Sequence, residues 1–74
     1  MMYAQEKTIQ VQAGVLIRRH LREMLESEQF SGRPIRWMEN KRWTYSMFHV
    51  RGPERDVSAV ESRIDSWLRS MGER

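Results

Sequence analysis

Apolar residues in this chain change their spacing three times, and that alternation limits the fold more than any other feature. From Lys7 to Gln12, Ile9 and Val11 alternate with Thr8, Gln10 and Gln12, the period of a strand with one buried face. From Val15 to Glu28, Leu16, Ile17, His20, Leu21, Met24 and Leu25 fall on one side of a 3.6-residue period, with Arg18, Arg19, Arg22, Glu23 and Glu26 on the other. That spacing predicts an amphipathic helix. Ile35 to Met38 and Trp43 to Val50 are rich in β-branched and aromatic residues, which suit strands. Val57, Val60, Ile64, Trp67, Leu68 and Met71 then form a second helical stripe, which places Ile64, Trp67 and Leu68 in the core.

The punctuation agrees with these periods. Gly32 supplies a stop for the first helix and Pro34 cannot continue it. Pro53 suits the first turn of a helix, and Glu54 and Asp56 place negative charge at its positive end. Between the two middle strands, Glu39-Asn40-Lys41-Arg42 carries the Asn expected of a tight hairpin. With Asn40-Lys41 as the turn, Met38 lies opposite Trp43, Trp37 opposite Thr44 and Arg36 opposite Tyr45.

The expected order is strand, helix, strand, strand, helix: an α+β chain in which residues 1–74 form a single domain. Two helices cover one face of a three-stranded sheet. A right-handed crossover through the first helix sets the first strand parallel to a strand of the hairpin. This order resembles the split βαβ arrangement of ferredoxin-like folds, truncated before the last strand. The resemblance is one of element order and implies nothing about activity.

Size and charge bear on partners. A chain of 74 residues buries a small core and needs a supplementary source of stability, and without Cys it has no disulfide. Self-association is therefore the expected supplement, and a homodimer the expected state. No signal-peptide pattern opens the sequence and its longest aliphatic run is Val15-Leu16-Ile17, so we expect a cytoplasmic protein with no membrane partner. The net charge of +3 is concentrated: Arg33, Arg36, Lys41, Arg42 and Arg51 stand against Glu39 alone between residues 33 and 51. Eleven of the thirteen basic residues are Arg, a side chain suited to carboxylate, phosphate and aromatic partners.

Strand alternation then sorts the hairpin into two faces. Ile35, Trp37, Thr44, Ser46, Phe48 and Val50 lie on one, which has no charge at its centre and is assigned to the helices. Arg36, Met38, Trp43, Tyr45, Met47, His49 and Arg51 lie on the other, and we take these seven as the candidate binding residues. An uncovered face of this composition marks an interaction site. It fits a protein-binding or assembly module that self-associates through its sheet, either by pairing the edge of the first strand around Thr8 to Gln12, left open by the missing final strand, or, as the favoured mode, by stacking this face through Trp43, Tyr45, Met47 and His49. It also has the character of a nucleic-acid platform, with bases stacked on sheet-borne aromatics and Arg on phosphate, although the Gly and Phe spacing of the RNA-recognition motif is absent. Catalysis is the third reading, in the manner of small dimeric ferredoxin-like enzymes. Tyr45 and His49 share a face, but no carboxylate on that stretch orients the His and no nucleophile elbow or phosphate loop appears. Catalytic residues, metal ligands and cofactors are therefore expected to be none, with His20 a partly buried helix residue. Ser58, Ser62, Ser66 and Ser70 form an ordinary polar ridge on the last helix.

Overall fold

The computed structural model describes residues 5–72. They form a compact α+β fold of three antiparallel strands and two helices: β1 (Glu6–Gly14), α1 (Arg18–Phe30), β2 (Arg36–Lys41), β3 (Tyr45–Pro53) and α2 (Glu54–Gly72). The sheet order is β1-β3-β2. Because β1 and β2 both run antiparallel to β3, they are parallel to each other, with β3 inserted between them.

Alternation sets the layers as expected. Ile9 and Ala13 of β1, Ile35, and Phe48 and Val50 of β3 are buried with Leu21 and Leu25 of α1 and Val57, Val60 and Ile64 of α2 in one cluster. Val11, Trp37, Trp67 and Leu68 pack at its margin, only partly buried. Trp67 and Leu68, expected in the core, are thus only partly buried and pack against its edge.

Helix α1 begins three residues later than periodicity predicts. Gly14 to Ile17 form a turn closed by Ile17 N–H donating to Gly14 O at 3.0 Å, which throws Leu16 outward to 86% exposure. His20 is exposed and meets the Trp67 ring edge-on, with centroids 6.3 Å apart. At the other end Gly32 adopts φ 99°, the left-handed conformation that ends helices and suits Gly. Gly52 has a different reason to lack a side chain: a Cβ there would lie 2.9 Å from the Pro34 carbonyl oxygen.

The hairpin register corrects the sequence expectation. Met38 pairs with His49, Trp37 with Val50 and Arg36 with Arg51, and the turn is closed by Arg42 N–H donating to Tyr45 O at 2.8 Å. Trp43 and Thr44, not Asn40 and Lys41, therefore sit at its tip. The partner of Met38 moves from Trp43 to His49, an even number of positions, so every side chain keeps its face. The longer β2 brings Glu39 opposite Phe48 on the helix side, where Arg22 reaches it.

One ion cluster fastens α1 to the sheet, and a second ties α1 and the loop after it to α2. Glu39 accepts from Arg22 Nε at 2.7 Å, Arg22 Nη2 at 2.9 Å and Ser46 Oγ at 2.6 Å. Buried Glu28 accepts from Arg33 Nε at 2.6 Å and from Arg63, and Arg33 also reaches Asp56 at 3.1 Å. Arg22, placed on the outer face of α1 by periodicity, is half-buried because its long side chain folds back to Glu39.

Candidate interaction site on the open sheet face

Side chains on the face away from the helices follow from the register. Row by row across β1, β3 and β2, they are Thr8, Arg51 and Arg36; Gln10, His49 and Met38; and Gln12, Met47 and Asn40. Tyr45 follows opposite Gly14. Six of the seven candidate residues, Arg36, Met38, Tyr45, Met47, His49 and Arg51, thus share one face. Trp43 does not join them: it projects from the hairpin tip at 96% exposure.

The face is less apolar than the hairpin alone suggests. β1 contributes Thr8, Gln10 and Gln12, so apolar area is confined to Met38, Met47 and the ring of Tyr45. Met38 is the most open of these at 68%. A shallow hollow of about 200 Å³ is lined by Arg36, Trp37, Met38, His49 and Arg51.

Its charge is uneven. Arg51 Nε pairs with Glu6 at 2.9 Å. Arg36 stands directly across the strands from Arg51 with no ion-pair partner among the described residues. Like charges so placed repel, and an anion between them would relieve that. Arg33, counted with the basic segment, is engaged by Glu28 and Asp56 and lies outside this face.

Periodicity alone does not reveal the edge of β1. Val15 N–H donates to Thr44 O at 3.1 Å and Glu54 N–H to Gln5 O at 2.7 Å. In an antiparallel ladder the bonded pairs alternate, so Gln5, Lys7, Ile9, Val11, Ala13 and Val15 turn their backbone groups toward β3. Thr8, Gln10 and Gln12 turn theirs outward, along a strand of nine residues with no charged side chain from Thr8 to Gly14. The signal was in the sequence: an uncharged, alternating segment free of Pro at the start of a βαββα order. Lys7, the nearest charge, is drawn to Ser58 at 3.2 Å and Glu61 at 3.0 Å of α2.

Among the described residues no group of three or more His, Cys, Asp or Glu side chains could hold a metal ion. Among the described residues His49 has no free carboxylate beside it on its face: Glu39 lies on the helix side and Glu6 is taken by Arg51. Comparison with protein-family models, with curated proteins and with solved structures finds no match.

Proposed function

We propose that the chain is a small non-catalytic assembly module, a truncated split βαβ of the ferredoxin-like kind, that self-associates through the free edge of β1. The supporting observation is that edge: nine residues long, uncharged at its centre, its outward backbone groups belonging to Thr8, Gln10 and Gln12. Exposed edges of this length attract another strand unless charge, Pro or a bulge blunts them. The opposite edge, β2, is shorter and carries Arg36, Glu39 and Lys41. Two copies joined antiparallel along β1 make one six-stranded sheet with all helices on one side, and the pairing is isologous, as two-fold symmetry requires. Face-to-face stacking through Tyr45, Met47 and His49 fits less well, because Gln10, Gln12 and Asn40 would have to be desolvated with them.

The test is the oligomeric state by light scattering. The wild-type chain is expected to be a dimer at micromolar concentration and Gln10→Pro a folded monomer. Gln10 turns its N–H outward, so Pro there removes an intermolecular rung and leaves the β3 ladder whole. Proline at Val11 would break the inward ladder instead. Gln10→Lys serves as a second variant, since an edge Lys opposes pairing without constraining φ. A monomeric wild-type chain, or dimers that persist in both variants, would refute edge pairing.

A second reading rests on the Arg36–Arg51 pair beside the His49 hollow: a nucleic-acid-binding face whose anion is backbone phosphate. Binding of single-stranded oligonucleotides should then fall steeply with salt, because released counterions drive it. Arg36→Ala is expected to weaken binding of every sequence alike. Affinity independent of salt would exclude this reading.

A further inference from the structure

The hairpin tip and the β1–α1 turn form a feature that edge pairing does not use. Val15 N–H donates to Thr44 O at 3.1 Å, and Arg18 Nη1 donates to Arg42 O at 2.8 Å and to Tyr45 O at 3.4 Å. The two loops are therefore held side by side at one end of the sheet. From them project Trp43 at 96% exposure, Leu16 at 86% and Val15 at 50%. Around them stand the cations Lys41, Arg42 and Arg18, with Arg19 beyond them paired to Glu23 at 3.5 Å, while the nearest hairpin carboxylate, Glu39, is already bound by Arg22 and Ser46.

We infer that this tip docks peripherally on an anionic lipid surface. Among the described residues no helix is long and apolar enough to cross a membrane, and the short aliphatic run speaks only against spanning. Surface contact needs something different: a few apolar side chains that enter the headgroup boundary, an aromatic ring with a polar handle at that depth, and basic residues against anionic headgroups. The tip supplies all three from a braced pair of loops, so little order is lost on contact. Charge complementarity selects the lipid, since basic side chains near an anionic leaflet attract it and a zwitterionic one does not.

The test is cosedimentation of the full chain with vesicles of phosphatidylcholine containing about one-third phosphatidylserine, against phosphatidylcholine alone. Wild type is expected to pellet with the anionic vesicles only, and less so as salt rises. Trp43→Ala and the pair Lys41→Glu with Arg42→Glu are each expected to lower the partition coefficient about tenfold or more. These positions are exposed, so unchanged thermal unfolding of the variants identifies the loss as one of contact. Wild-type protein left in the supernatant, equal binding to neutral vesicles, or undiminished binding by Trp43→Ala would each overturn the proposal. So would a null vesicle result in which Trp43→Ala changes the mass seen by light scattering, which would make the tip a protein contact. Gln10→Pro should bind anionic vesicles through the same tip, so failure of the edge proposal and of this one are read separately.

Discussion

Phe48→Ala is expected to leave the chain without a cooperative unfolding transition. Phe48 is fully buried at the centre of the middle strand, opposite Val11 and Glu39, with its ring centroid 5.9 Å from that of Trp37. Truncating a buried Phe costs about 3 to 5 kcal/mol, from lost transfer energy and from the cavity left behind. A core in a chain this short rarely supplies more than about 3 to 5 kcal/mol of net stability, so the loss matches the whole margin. Thermal melting followed by circular dichroism checks this. Phe48→Leu, which refills most of the space, should still melt cooperatively at a lower temperature. An alanine variant melting within a few degrees of wild type would show that the cluster around Phe48 does not carry the fold.

Acid should cost the wild-type chain more of its stability than it costs Glu39→Gln. The two hydrogen bonds from Arg22, with further help from Ser46 and the nearby Lys41, hold the Glu39 carboxyl down to about 2. An unfolded Glu titrates near 4.3. A carboxyl depressed on folding contributes stability that is fully present above the unfolded value and lost as pH falls toward the folded one. The window therefore runs from about pH 4.5 down to about pH 2. With Arg22 partly open to solvent at 30%, screening leaves about 2 kcal/mol of the roughly 3 kcal/mol that the full shift would give. Glu28 acts in the same direction: burial opposes its charge, but Arg33 and Arg63 outweigh that and lower it. Urea midpoints at pH 6 and pH 3 decide the matter. Wild type should lose about 1 kcal/mol more than Glu39→Gln between them, roughly half of the Glu39 contribution, with the rest going as pH falls on toward 2, and identical losses would remove Glu39 from the account.

What could be read from the sequence was what depends on local period. Element order, the faces of the strands and the buried stripe of α2 through Ile64 follow from alternation and helical spacing, and the structure shows them. What depends on partners distant in sequence could not be read. The Asn40 turn signal was overruled because extending β2 to Lys41 lets Glu39 join Arg22 and Ser46 beneath the helices, which a turn at Asn40 would prevent. Leu16 follows the helical stripe but lies in a loop, since the turn from Gly14 to Ile17 delays α1. Glu28 enters the sequence reading only as the last residue of the helical pattern, and its burial is explained by Arg33 and Arg63, brought in from a loop and from α2. Of the candidate site, six residues were grouped correctly by parity. Trp43 was misplaced with the turn, while the open edge of β1 could be read from the missing final strand, and which of its residues turn their backbone groups outward could not.

The central position of β3 also orders events in time. β2 and β3 are neighbours in sequence, joined by the tight turn at Trp43 and Thr44, and such a hairpin closes in about 1 to 10 μs. β1 must find β3 across the whole of α1, with Glu6 reaching Pro53 and Gly14 reaching Tyr45, and distant pairings are delayed by the entropy of closing the intervening chain. Until β1 arrives, the far side of β3 offers its unpaired amides, with Phe48 and Val50 on the adjoining face, to any strand of matching pattern. A β1 from another copy matches it as well as the chain's own. Crowding during synthesis would thus favour molecules that exchange their first strands, through the same backbone groups that make the finished sheet hold together.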